Sequence, residues 1–418
     1  MNHEIGNRRW TIVALLFFAT TINYIDRQVI GILKPVITLD LGWNENDYGH
    51  IVAAFQIAYA AGMLITGRLL DKFGTRLGYL WAVVVWSIAG IAHAAALGAG
   101  SFTIARAALG IGESANFPAA VKSVAEWFPM KERAFATGLF NSGSTVGAII
   151  APVIVTGFTI TLGWRWAFIA TGALGFVWVT FWLAFYHSPS KHPKLTKAEF
   201  EYIHQDDDTS VNNQNMRWIK LLQYRQTYVI CTTRFISDWV WWFFLFWIPG
   251  FLDTTQHINM RMMVFPLIVI YLVSSFGGIG GGWISSQFIK SGKGIDFARK
   301  MAVLICAICV MPVMMVSQIH MLWVVVMLIA CAAAGHQGWA SNIFSITSDI
   351  YPKKAVGSMM GLSGFAGAVG GALSASFIGM TLETTHSYFL IFTIAPGMYL
   401  INWMIIKIFI PEIKPLVI

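Results

Sequence analysis

The chain is expected to be an all-α membrane protein, with twelve spanning helices in two pseudo-symmetric six-helix bundles. Composition says membrane: of 418 residues 56% are hydrophobic and only 11% charged, against about a quarter charged in soluble domains, and mean hydropathy is +0.64. Apolar stretches of about twenty residues, the length that crosses a bilayer, recur along it. A single long polar interval splits them into two equal sets.

In order, the apolar stretches cover 10–34, 48–70, 77–97, 101–122, 134–159 and 165–186, then 226–252, 262–288, 297–318, 320–348, 355–380 and 385–410. The first is no cleavable signal, because Asp26 and Arg27 interrupt it and no small-residue cleavage pattern follows. Between the second and third lies GRLLDKFGTR, with Gly67, Asp71, Lys72, Gly74 and Arg76 in a tight basic turn. Charges are costly in hydrocarbon, so this turn belongs at a membrane surface. Its glycines permit a sharp turn, and Asp71 can accept from a helix N-terminus or pair with a neighbouring base.

Lys and Arg placement sets orientation. Arg8, Arg9, Arg68, Lys72, Arg76, Lys131 and Arg133 share one side with Lys191, Lys194, Lys197, Arg217, Lys220 and Arg225. Lys290, Lys293, Arg299, Lys300, Lys353, Lys354, Lys407 and Lys414 join them, while the opposite loops hold Lys34, Arg165 and Arg261. Both termini are therefore expected in the cytoplasm. The polar interval contains Pro189, Pro193, the run Asp206-Asp207-Asp208 and VNNQN. It reads as a linker with an amphipathic turn near Leu195–Ile203. The expected domains are 1–188, a cytoplasmic loop 189–225, and 226–418.

The halves echo each other. Asp26 and Asp238 are 212 apart; Phe128-Pro129 and Tyr351-Pro352 are 223 apart, and Gly138 and Gly147 match Gly361 and Gly370 at that offset. GRLLDKFGTR has a degraded counterpart from Gly281-Gly282 to Lys293, without the acid. Related bundles around a central cavity are a transporter arrangement.

Some classes are excluded. Cys231, Cys306, Cys309 and Cys331 all lie in apolar runs, and the Cys306–Cys309 spacing has no second ligand pair, so no metal or cofactor is expected. A net charge of +8 is dispersed over short loops and implies no nucleic acid. No nucleophile–base pattern suggests an enzyme.

Ionisable groups inside spans are functional candidates. Asp26, Arg27, Arg106 and Glu113 stand out in the first half. Asp26 and Arg106 are expected at a common depth, able to pair, with Glu113 two turns from Arg106 on the same helical face. A carboxylate that alternates between apolar surroundings and a guanidinium can take up and release a proton. Asp26, Glu113 and Arg106 are therefore the proton-coupling candidates. Arg27 points about 100° away from Asp26 and is the candidate carboxylate anchor, since its fork matches a carboxylate.

The second half has no Lys or Arg between Met301 and Pro352 or between Ala355 and Ile406. It offers neutral groups instead: Trp241, Trp242, Gln337, Ser341 and Asn342, with Asp238, His336 and Ser363 as further possibilities. The first half adds Tyr24, Gln56, Tyr59, Asn141 and Ser144. Hydroxyl, amide and aromatic groups suit a polyhydroxylated anion, although each alone also serves as a helix–helix hydrogen bond.

GRLLDKFGTR resembles the GxxxDKxGxR loop of the major facilitator superfamily. NYIDR (Asn23–Arg27), RAALGIGESANFPAA (Arg106–Ala120), EWFPMKERAFATGLFNSGSTVG (Glu126–Gly147), SDWVWWFFLFWIPGFL (Ser237–Leu252) and GHQGWASNIFSITSDIYPK (Gly335–Lys353) are similar to the anion:cation symporter family, in its bacterial hexuronate-transporter branch. The resemblance implies a major facilitator fold, alternating access, and import of glucuronate or galacturonate with protons. By the same resemblance Asp26 and Glu113 handle protons, Arg27 grips the carboxylate, Arg106 is a charge partner, and Tyr24 and Tyr59 line the pocket. It further implies a monomer in lipid, in the bacterial inner membrane. Galactonate-transporting relatives carry glutamine at the position of Ser144 and asparagine at that of Gly364, which leaves the sugar acid open among hexuronate, galactonate and glucarate. Alternatives are an organic-anion or phosphate-ester exchanger, which wants a pocket arginine from each half, and a transporter-like sensor, for which no soluble domain is appended.

Overall fold

Hydrocarbon offers no partner for backbone N–H and C=O groups, so an apolar chain crosses it as helices that satisfy their own backbone. The computed structural model describes residues 6–205 and 218–416, and among these there is no strand. The Asp206–Asp208 run, VNNQN and Arg217 lie outside the described residues.

The helices are α1 (Arg8–Leu41), α2 (Glu45–Ala92), α3 (Ala99–Glu113), α4 (Asn116–Trp127), α5 (Met130–Leu162), α6 (Trp164–Phe185), α7 (Lys197–Ile203) and α8 (Trp218–Leu221). They continue as α9 (Arg225–Phe246), α10 (Ile248–Gln256), α11 (Met260–Lys290), α12 (Ile295–Val310), α13 (Leu322–Ile350), α14 (Lys353–Thr385) and α15 (Phe389–Phe409). Among the described residues nine helical stretches are long and apolar enough to span a membrane. One of them holds two of the expected twelve, because α2 runs through the GRLLDKFGTR turn and bends at Gly74, whose φ of 77° favours glycine. The other two expected spans are α1, diluted by Asn23, Asp26, Arg27 and Gln28, and the fourth span, which loosens between α3 and α4 at Ser114–Ala115. That break directly follows Glu113.

The chain forms two compact units, one of Met1–Leu33 with Ile57–Asn213 and one of Lys34–Gln56 with Gln214–Ile418. Segment 34–56 thus groups with the second unit, although in sequence it lies within the first half.

Within each unit, small residues set helix spacing. A Cβ on Gly147 of α5 would collide with the Thr21 carbonyl of α1, and one on Gly112 of α3 would sit 2.7 Å from the Trp86 backbone of α2. In the second unit a Cβ on Gly370 of α14 would collide with the Phe235 carbonyl of α9, and one on Gly335 of α13 would sit 2.9 Å from the Cys306 carbonyl of α12. Gly112 and Gly335, like Gly147 and Gly370, are 223 apart. Their partners Thr21 and Phe235 are 214 apart, so the packing register of the first helices differs by two from the expected 212. Asp238 corresponds to Tyr24, and the Asp26–Asp238 correspondence is corrected.

The GRLLDKFGTR end of the first unit is closed by polar contacts. Asp71 pairs with Lys122 at 2.6 Å, and Thr75 and Tyr186 both donate to Glu126, at 2.6 and 2.8 Å. The expected amphipathic turn forms as α7, whose buried Glu199 accepts from the backbone N–H of Arg9 at 3.1 Å. Arg9 also donates to Glu132 at 2.9 Å, the residue that Tyr202 of α7 bonds at 2.6 Å.

The closest helix crossing joins α11 and α13, where a Cβ on Gly281 would meet the Gly338 backbone, whereas one on Gly280 would meet nothing within 4 Å. Gly281→Ala is expected to cost about 1–3 kcal/mol, the scale of overpacking, and to lower the thermal midpoint of the purified protein, while Gly280→Ala leaves it unchanged. Equal midpoints for the two variants would show that the crossing has slack.

Candidate functional site

Residue 27 of α1 projects a guanidinium into the interior of the first unit, where it is 4% exposed. Its Nε and Nη2 lie 2.9 and 2.8 Å from Oε2 of Glu113 on α3, and Nη2 donates to Oδ1 of Asn23, one turn back, at 3.2 Å. The guanidinium carbon is 5.0 Å from the Tyr24 ring centre and 4.9 Å from that of Tyr59 on α2. Charge, hydrogen bonds and two aromatic faces thus hold the cation where water is excluded. Glu113 is itself sealed from solvent, and both Arg27 nitrogens approach one of its oxygens, leaving Oε1 without a hydrogen bond among the described residues.

Arg106 and Asp26 complete this charged cluster. Arg106 is fully buried and donates to the Arg27 carbonyl at 3.4 Å. Neither oxygen of Asp26 makes a hydrogen bond among the described residues; the Thr171 hydroxyl lies beside it without reaching bonding geometry, and Glu113 and Arg106 lie within electrostatic reach. The expected Asp26–Arg106 pair is therefore replaced by Arg27–Glu113. The cause is rotational: Arg27, not Asp26, is the α1 residue turned onto the Glu113 face of α3.

The neutral candidates separate. In the second unit Trp241 of α9 stacks on His336 of α13, with centroids 5.5 Å apart and planes 8° from parallel. Trp242 stacks on Phe246 and meets Phe55 edge-on. Gln337 and Ser341 are half-buried on α13. Gln56 is buried beside Gly371, where a Cβ would reach its Oε1. Asn342 is sealed in the α11–α13 seam, donating to the carbonyls of Gly281 and Gly338 at 2.9 Å each; in this arrangement its amide ties helices together. Ser363 is buried and donates to the Met360 carbonyl at 3.2 Å. Asp238 pairs with Arg234, one turn away, at 2.6 Å. In the first unit Asn141 is exposed and Ser144 donates to its carbonyl at 2.7 Å.

In the loop motif Gly67 has open space around it, Lys72 is exposed over the Phe73 ring, and Arg76 donates to the Leu183 carbonyl at 2.9 Å. Sequence reasoning missed another buried cation. Lys34, read as an outer-loop base, is 4% exposed inside α1. Its Nζ is 2.7 Å from both oxygens of Glu45, and the Glu45 N–H donates to Glu383 at 2.9 Å. An acid eleven residues on, just past a helix break, was the available signal.

Comparison with known proteins agrees with this architecture. The sequence profile of the Major Facilitator Superfamily matches residues 16–375. The chain is 31% identical to the hexuronate transporter of Escherichia coli K12 over 91% of its own length and 89% of that protein. To the galacturonate transporter of Dickeya chrysanthemi it is 32% identical, over 73% of this chain and 90% of the relative. To the D-galactonate transporter of Escherichia coli O6:H1 it is 29% identical, over 88% and 87%. A crystal structure of a D-xylose–proton symporter superposes with a TM-score of 0.75 at 16% identity, over 98% of each chain; at that identity the likeness speaks for the fold. With the profile match spanning most of its length, the chain belongs to the Major Facilitator Superfamily, a family of multi-pass membrane transporters rather than enzymes.

Proposed function

We propose that the protein is a proton-coupled symporter of an acidic sugar, a hexuronate such as glucuronate or galacturonate. It works by alternating access, as a monomer in the lipid of the bacterial inner membrane, with both termini cytoplasmic and two six-helix halves joined by the central loop. The observation that carries the reading is the buried Arg27–Glu113 pair between Tyr24 and Tyr59, with Asp26 nearby. The relatives named for hexuronate and galacturonate transport support the substrate class.

The pair suggests how a proton and an anion are linked. Arg27 has one fork, and in this arrangement Glu113 occupies it. A substrate carboxylate competes for the same donors, and protonation of Glu113 removes its competitor's charge. The acid end then docks on Arg27, flanked by Tyr24 and Tyr59. A buried carboxyl without a bonded cation is costly when charged; in this reading Asp26 therefore holds the second transferable proton, and Arg106 sets the local field. An organic-anion exchanger would want a free arginine in the second half, but Arg234 is committed to Asp238 at 2.6 Å.

Two variants test the coupling and the anchor, both assayed in proteoliposomes with radiolabelled uronate. Glu113→Gln is expected to abolish accumulation driven by a proton gradient while leaving counterflow intact, because the amide mimics one protonation state and leaves Arg27 in place. Uphill accumulation by that variant would remove Glu113 from the coupling step. Arg27→Lys keeps the charge but loses the fork, and is expected to weaken binding by about 1.5–3 kcal/mol, the range of a charged hydrogen bond. Calorimetry finding near-normal affinity would move the anchor to another group.

A further inference from the structure

Within the first unit, Nη2 of Arg27 is shared between two acceptors. It lies 2.8 Å from Oε2 of Glu113 and donates to Oδ1 of Asn23 at 3.2 Å. The two accepting oxygens are therefore neighbours across one nitrogen. A guanidinium only donates, so the Asn23 atom that meets it is the amide oxygen. Asn23 is 1% exposed and Glu113 is fully buried. Each has a second polar atom, Nδ2 of Asn23 and Oε1 of Glu113, sealed from solvent without a hydrogen bond among the described residues. One is a donor and the other an acceptor, and each costs free energy while it stays unpaired.

A proton on Glu113 changes what these atoms can do for each other. A charged carboxylate only accepts, so beside the amide oxygen it sets acceptor against acceptor and stays on the guanidinium. A protonated carboxyl has one O–H donor and one carbonyl acceptor, the complement of a primary amide. Acid and amide can close two hydrogen bonds at once. Oδ1 has two lone pairs, so it can accept the acid's O–H without releasing Arg27. Glu113 is the last residue of α3, before the break at Ser114–Ala115, so the movement falls where the span is least regular. Asp26 offers no such match: it only accepts when charged, points about 100° away from Arg27, and lies within electrostatic reach of Glu113 without sharing a donor with it. The other charged or titratable groups around Glu113 are Arg27 and Tyr24 of α1 and Arg106 of α3, with Tyr59 of α2 against Arg27.

We infer that Asn23 is the residue that receives Glu113 once that acid is protonated. The arriving proton ends the ion pair with Arg27. The new O–H then donates to Oδ1 of Asn23, the other carboxyl oxygen accepts from Nδ2, and the Arg27 fork is left for a substrate carboxylate. When the proton leaves, Glu113 returns to the fork and displaces the anion. This rests on the symporter reading and deepens it, because it names where the proton-loaded acid is held. Asn23 is a positioning residue that acts through Glu113.

The test is glucuronate binding to purified protein by calorimetry across a range of pH, on wild type and Asn23→Leu, an apolar side chain of similar size. Wild type is expected to bind more tightly as pH falls and Glu113 takes up its proton. The amide favours the neutral acid, so its loss makes protonation harder. The pH of half-maximal binding is therefore expected to fall by about one unit in Asn23→Leu, a tenfold change in proton affinity. If Asn23 only held Arg27 in place, loosening Arg27 would ease protonation of Glu113; a midpoint that stays or rises overturns the inference. Infrared difference spectra between acid and neutral pH give a second readout, independent of whether the leucine variant folds. In wild type the carboxyl C=O band that Glu113→Gln removes is expected at the position of a hydrogen-bonded acid. That band at the position of an isolated acid would overturn the role of Asn23 while the symporter reading stands. Wild-type binding that does not change with pH would overturn both.

Discussion

Everything in the first unit is arranged around a guanidinium and a carboxylate out of reach of water. Removing one partner of such a buried pair is far more damaging than the pair's net worth, because it strands a charge. The surrounding sequence makes the burial tolerable. Gly143 and Gly147 draw α5 against the α1 backbone, and Gly62 brings α2 onto Ser114, beside Glu113. Those close approaches bring the Tyr59 ring to within 4.9 Å of the Arg27 guanidinium. Bulkier residues at the glycines would widen the helix spacing and open the cluster.

At the positions that match Arg27 and Glu113, the second unit reuses the scaffold without the charge. Gly335 and Gly370 repeat the contacts of Gly112 and Gly147, but the residues they position are His336 and Trp241. Its ion pair on α9, Arg234–Asp238, is half-buried, internal to a single helix turn and electrically closed.

The spans, the basic loop, the charged quartet and the family resemblance were all legible in the sequence, because each depends on composition or local spacing. The partners were not. Which of two adjacent residues, Asp26 or Arg27, faces α3 depends on helix rotation, and rotation is set by glycine contacts made more than a hundred residues away in sequence. The same limit explains the repeat offset, where matching acids suggested 212 and the packing gives 214. Asn342 read as a pocket amide because nothing local distinguishes an amide that meets a ligand from one that bonds the carbonyls of a neighbouring helix. Lys34 read as an outer-loop base because its partner Glu45 lies beyond a helix break.

The Arg27–Glu113 bond lies within one unit, so a rigid movement of that unit leaves it intact. It yields only to something that changes the charge or competes for the fork, namely a proton or an anion. The chain nevertheless passes from the first unit to the second inside α1, at Leu33–Lys34, and returns inside α2, at Gln56–Ile57. Arg27 and Tyr59 both sit within about two helical turns of those crossings. Since aromatic faces stabilise a cation whose carboxylate partner is neutralised, the placement of Tyr24 and Tyr59 within the first unit decides how well the Arg27 charge is tolerated there.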